Sequence, residues 1–169
     1  MTIALHRDDR PRSTGTRTDD EGSQHLLMHV ASMQPTEFVD LTDRLLAFVA
    51  RAGVRTGLLA VHTLHTTTAV VVNENEPLLH EDVARQLEQL APLSAPYDHD
   101  DNQRRTVNRA DPERVNGHAH CRAFALGSSI CLSIVDGRLL LGRWQRVLFV
   151  ELDGPQERQV AATLLGRVR

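Results

Sequence analysis

Apolar positions recur along most of this chain, and their spacing separates strands from helices. The run His25-Leu26-Leu27-Met28-His29-Val30 has the character of a first strand. Leu41, Leu45, Phe48 and Val49 then fall at helical spacing, with Asp40 as the N-cap, Asp43 as a weaker capping-box partner and Gly53 as the stop. Gly57 to Leu64 and Thr68 to Val72 are dense in β-branched and aliphatic residues and read as consecutive strands. Pro77 suits the first turn of a second helix, whose apolar stripe is Leu79, Val83, Leu87 and Leu90 and whose end is Pro92.

Beyond that helix the pattern breaks. Ser94 to Arg114 is polar and aperiodic, a loop long enough to suggest function or mobility. Asn116 to Gly127 fits a short helix, Ser129 to Val135 a strand, and Asp136-Gly137 is a strong hairpin signal leading into Arg138 to Leu141. Arg146 to Leu152 continues as an apolar strand, Asp153-Gly154-Pro155 is a turn, and a last strand lies around Val160 to Leu165. Strands in hairpins with helices between them predict an α+β fold with an antiparallel sheet and two main helices. Residues 1–22 are polar and without periodicity, which predicts a disordered tail before a single domain over 23–169.

Composition narrows the chemistry. The 169 residues are 41% hydrophobic, enough for one core without disulfides, and the net charge of -3 leaves no basic footprint for nucleic acid. There is no lysine, so neither a Schiff-base lysine nor a phosphate-loop lysine is available, and arginine is the permanent cation left for an anionic ligand. Cys121 and Cys131, among apolar neighbours, read as buried reduced thiols. The polar N-terminus lacks the apolar stretch of a signal peptide, and no run is long enough to span a membrane, so the chain is expected in the cytoplasm.

Three polar constellations interrupt the apolar pattern. His62-Thr-Leu-His65-Thr66-Thr67-Thr68 runs into three valines and then Asn73-Glu74-Asn75. Hydroxyls and backbone N–H groups at such a bend are donors for phosphate oxygens, and His65 can act as donor, general acid or metal ligand. Asn116-Gly-His118-Ala-His120 would place its imidazoles on one side if extended and about 200° apart if helical. With His65 and His99 it makes a transition-metal site available from separate loops. Gly127-Ser128-Ser129 and Gly142-Arg143-Trp144-Gln145-Arg146 complete the set, the only tryptophan standing as a stacking surface with donors on either side. The expectation is that these loops converge into one polar site for a small anionic ligand.

Together these stretches, with the closing Glu151-Leu-Asp-Gly-Pro155, resemble the YjbQ family, the secondary thiamine-phosphate synthase proteins, from about Gln24 to the C-terminus. The resemblance implies an α+β homotrimer with polar pockets near its subunit interfaces. It also implies a weak transferase activity that joins a pyrimidine methyl diphosphate to a thiazole phosphate and releases pyrophosphate. His65, Glu74 and His120 would then be catalytic, with Thr66, Thr67, Asn73, Asn116, Ser128, Arg143, Trp144 and Gln145 binding substrate. Mg²⁺, or another divalent metal at His65, His99 and His120, would assist. The chain departs from the family pattern at His118, Arg143 and Arg146, which makes the site more cationic and weakens a Mg²⁺ site. Two other readings fit the residues: a non-catalytic trimeric protein binding an organic phosphate or a metal, and a metal-dependent hydrolase.

Overall fold

The structure, a computed structural model, describes residues 15–18, 23–109, 112 and 114–168. In chain order the elements are β1 (Gly15–Thr18), β2 (Ser23–Ala31), β3 (Glu37–Asp40), α1 (Thr42–Ala52), β4 (Val54–Thr63), β5 (Thr68–Asn73) and α2 (Pro77–Leu90). A 3-10 turn at Asp98–Asp100, α3 (Gly117–Leu126), β6 (Ser129–Val135), β7 (Arg138–Leu139), β8 (Arg146–Glu151) and β9 (Glu157–Val168) complete it. Most of the residues predicted to be a disordered tail lie outside the described ones, but Gly15–Thr18 is a strand paired with β2.

All pairings are antiparallel and fall into two sheets, β1-β2-β9-β4-β6-β7 and β3-β8-β5. Period-two alternation builds the layers. Leu26, Met28 and Val30 of β2, Leu59 and Val61 of β4, and Val160, Ala162 and Leu164 of β9 point inward. There they meet Leu45, Phe48 and Val49 of α1 and Val70, Val147 and Phe149 of the small sheet. The opposite side of the small sheet, with Ala69, Val150 and Leu152, packs on Leu87 of α2 and Ala119 and Ala123 of α3. Burying each large side chain contributes about 1.5–3 kcal/mol, so these two clusters dominate stability.

Local signals explain the helix ends. Gly53 closes α1 at φ 67°, a left-handed conformation that suits glycine. Leu41 rather than Asp40 is the capping residue of α1. Asp40 still accepts from the Thr42 N–H at 2.8 Å, while Asp43 makes no capping box and pairs with Arg146. In α2, Glu76 caps the Leu78 and Leu79 N–H groups ahead of Pro77.

Three expectations need correction. The consecutive strands β4 and β5 do not form a hairpin: β4 lies in the large sheet and β5 in the small one. The chain changes layers at Leu64–Thr67, where the Thr63 and Thr68 hydroxyls meet at 2.5 Å. Both cysteines are exposed, because Cys121 and Cys131 fall on the solvent sides of α3 and β6. Leu90, counted in the apolar stripe of α2, is 60% exposed.

Candidate functional site

The bend between β4 and β5 gathers most of the buried polar side chains. Glu151, at the end of β8, is fully buried and accepts from the Arg158 Nε and Nη2, each at 2.7 Å. It also accepts from the Ser32 hydroxyl and from the Leu152 and Asp153 N–H groups. Arg158 reaches on to the Thr67 hydroxyl at 3.2 Å. His65 sits beside this pair with its Nε2 accepting from the Gln159 N–H at 2.9 Å. That bond fixes the neutral ring with its proton on Nδ1. Partial burial and the Arg158 charge lower its pKa below the ordinary histidine value, against an opposing pull from Glu151.

The network continues to the start of α3. Asp153 is buried, accepts from the Arg114 guanidinium, and takes the Asn116 Nδ2 at 2.9 Å. Asp100 Oδ1 accepts from the Asn116 and Gly117 N–H groups, both at 3.0 Å, so the helix start already holds a carboxylate of this chain. Gly117 makes the approach of this loop possible, since a Cβ there would collide with the Tyr97 ring. His99, carried by the same loop, lies with its ring 4.4 Å from that of His120, centroid to centroid. Burial, then His99 and Arg105, lower the His120 pKa.

Polar atoms remain unanswered in this corner. His99 Nε2 and Asn116 Oδ1 are buried and have no hydrogen-bond partner among the described residues. A buried polar atom left unpaired costs about 1–3 kcal/mol, so these two are open to a further partner. The donors available are two imidazoles and one amide oxygen, which suit a borderline divalent cation better than Mg²⁺, an ion that prefers an all-oxygen shell. Among the described residues no three His, Cys, Asp or Glu side chains stand close enough to hold a metal. His65, whose Nε2 is engaged, therefore does not join His99 and His120 in a three-ligand set.

The other predicted residues lie elsewhere. Asn73 pairs with Arg146 at the far end of the β5–β8 ladder, whereas Thr68 pairs with Glu151 at the near end. Arg146 is held by Asp40 at 2.7 Å and Asp43 at 2.9 Å, and Asn75 also reaches Asp40. Burial alone would raise the Asp40 pKa, but hydrogen bonds from Thr42 and the Arg146 charge bring it below the ordinary value. Trp144 is 61% exposed, with the Arg143 guanidinium 4.5 Å from its ring centre. The Gln145 side chain accepts from the Gly142 N–H and so closes its own turn. Glu74 is exposed at this end. One chain thus brings His65, Thr67, Asn116, His99 and His120 into one neighbourhood. It leaves Asn73, Glu74, Arg143, Trp144 and Gln145 at the opposite end of β5, roughly 17 Å away.

Thr66 and Ser128 are exposed near the bend, and the Ser128 carbonyl accepts from the Thr63 N–H. In the α3 helix His118 is buried with its ring centre 6.5 Å from that of Tyr97, whereas the His120 ring meets His99. Sequence reasoning missed Glu151, Arg158, Asp153 and Asp100 as site residues. Arg158 carried a signal, since it occupies the inward register that Val160, Ala162 and Leu164 continue.

Comparison with known proteins agrees with this architecture. Residues 27–167 match the family model described as UPF0047 protein YjbQ-like. A UPF0047 protein of Archaeoglobus fulgidus is 41% identical over 129 residues, covering 76% of this chain and 91% of the relative. One from Methanothermobacter thermautotrophicus is 34% identical over 78% of this chain and 84% of its own length. Among solved structures, a YbjQ-like protein of unknown function from Sulfolobus solfataricus superposes with a TM-score of 0.76 at 29% identity, covering 86% of this chain and 98% of that one. A hypothetical protein from Aeropyrum pernix does so with a TM-score of 0.74 at 36% identity, over 85% of this chain and 98% of its own. No helix among the described residues is long and apolar enough to cross a membrane. The chain belongs to the YjbQ-like UPF0047 family.

Proposed function

We propose that this chain is an enzyme acting on a small organic phosphate, of the secondary thiamine-phosphate synthase type. It would join a pyrimidine methyl diphosphate to a thiazole phosphate with release of pyrophosphate. The observation that carries the reading is the corner where His99 Nε2 and Asn116 Oδ1 lie buried and unpartnered beside His120. Expelling diphosphate builds negative charge on the leaving group, and a divalent cation held by His99, His120 and Asn116 would supply the compensating charge there. His65 presents its Nδ1–H as a donor to a phosphate oxygen, because Nε2 is already taken. Arg158 is held by Glu151 and Thr67 through Nε and Nη2, so it positions the bend.

Trp144 offers an exposed ring for a flat heterocycle, with Arg143 across one face. It lies at the other end of β5, so we assign its contribution to the His99–His120 corner of a neighbouring copy in a homotrimer. The test is thiamine phosphate formation by the purified protein with a divalent metal present. Product that disappears in His120→Ala and in Trp144→Ala supports the reading. No product, or undiminished product from His120→Ala, overturns it.

A non-catalytic binding protein is the second reading. It draws on Glu74, which lies exposed at the end of β5 away from His65 and His120 and so gives them no carboxylate partner within one chain. Stoichiometric uptake of metal or organic phosphate without turnover would favour it, and metal-dependent phosphate release from an ester would instead favour a hydrolase.

A further inference from the structure

The bend that carries His65 holds side-chain donors that nothing in the chain accepts from. Arg158 is 5% exposed, and its Nε and Nη2 are engaged by Glu151 and Thr67. Its third nitrogen, Nη1, has no hydrogen-bond partner among the described residues. It is not sealed in as His99 Nε2 and Asn116 Oδ1 are, so it opens to the surface. His65 stands in the same condition. Its Nε2 accepts from the Gln159 N–H, which leaves the Nδ1 proton without an acceptor. The two groups are held together through the backbone, because the Leu64 N–H also bonds the carbonyl of Gln159, the residue after Arg158, at 3.0 Å.

Glu151 does not cancel the positive side of this pair. Its oxygens accept from the Ser32 hydroxyl and the Leu152 and Asp153 N–H groups as well as from Arg158. It meets the guanidinium along the Nε–Nη2 edge, which leaves Nη1 on the other side. At the His65 ring the Arg158 charge lowers the pKa more than Glu151 raises it, so the pair acts there as a net cation. Glu157 and Gln159 alternate with Arg158 along β9 and so face away from it. In the turn that follows His65, the Thr66 and Thr67 N–H groups make no hydrogen bond among the described residues.

We propose that Arg158 Nη1 and His65 Nδ1–H, with the Thr66 and Thr67 N–H groups, form a seat for the phosphate of a phosphomonoester that works without a metal. Donors from a guanidinium, a ring and two backbone groups suit a tetrahedral oxyanion with three terminal oxygens better than a planar carboxylate with two. The inference rests on the reading that the ligand is a small organic phosphate. It gives the thiazole phosphate a place of its own, apart from the cation that serves the diphosphate.

The probe is inorganic phosphate, titrated calorimetrically into the full chain with chelator present and no divalent cation. Phosphate should bind the wild type, and should bind Arg158→Lys about tenfold more weakly or worse. Lysine keeps a charge against Glu151 but has a single nitrogen and no second edge. Acetate should bind the wild type far more weakly than phosphate. No metal-free binding, binding that Arg158→Lys leaves unchanged, or acetate bound as tightly as phosphate overturns the proposal. Should Arg158→Lys misfold, amide chemical shifts of the wild type decide. Phosphate should move the Thr66 and Thr67 signals and leave those of His99 and His120 in place, and shifts absent at the threonines or confined to the histidines overturn it. The titration needs neither turnover nor metal, so its failure removes the seat alone, whereas a synthase assay without product removes the reaction and not the seat.

Discussion

The two ends of the β5–β8 ladder hold similar residue types in opposite physical states. At the Thr68–Glu151 end, Glu151 and Arg158 are out of water, bound to each other through two nitrogens and cross-linked to Ser32 and Thr67. At the Asn73–Arg146 end, Arg146 bridges Asp40 and an exposed Asp43, beside an exposed Trp144. The first end is preorganised, since its hydrogen bonds are shielded from competing water and its side chains have one arrangement. The second is solvated, so its ion pairs are screened and its ring is free to receive a ligand. A site that needs both charge stabilisation and a stacking surface has its two requirements met by different ends of the same ladder.

The largest effect separating the ends is expected from Arg158→Ala. It leaves Glu151 buried without its partner and should cost about 3–5 kcal/mol in urea unfolding. An equally mild result for Arg158→Ala and Arg146→Ala would erase the contrast between the two ends.

Next comes ligand binding. His120→Ala should weaken divalent-cation binding by about 100-fold or more in calorimetric titration, while Trp144→Ala leaves it unchanged. A cation that binds both variants as it binds the wild type removes the corner as its site.

A third effect is pH dependence. Burial lowers the pKa of His65, His80, His118 and His120 in the folded chain, whereas the unfolded chain takes up protons at the ordinary value of about 6.5. The folded state then binds fewer protons, so this stability is present above about pH 6.5 and is lost as the pH falls below it. Urea midpoints should drop between about pH 7.5 and about pH 5.5, and His120→Gln should make the drop shallower. The smallest effect is Arg146→Ala, expected to cost about 1 kcal/mol because Asp43 is exposed and the half-buried Asp40 keeps its hydrogen bond from the Thr42 N–H.

Much of the fold was legible because local signals and packing agree. The helix ending at Gly53, the helix starting at Pro77, and the Asp136-Gly137 turn all stand where the residues place them. The strand before Asn73 was legible as a strand, but its partner was not, because β5 bonds to β8 and not to its sequence neighbour β4. His99 and His120 were legible as candidates, and their 4.4 Å approach arises from a loop without periodicity. Cys121 and Cys131 were misread because apolar neighbours in sequence alternate sides in a strand or helix.

The amino-acid sequence alone determined the α+β class, the helix ends, the hairpin turn and the family to which the chain belongs. Those features depend on a residue and its near neighbours through dihedral preference, capping and apolar period. Only the tertiary structure decided that the β4–β5 bend changes sheets, that Glu151 and Arg158 bury a charge pair beside His65, and that Trp144 stands at the far end of the ladder. Each of these is a contact between residues distant in sequence, set by which apolar faces can be buried together, and no local pattern encodes that choice.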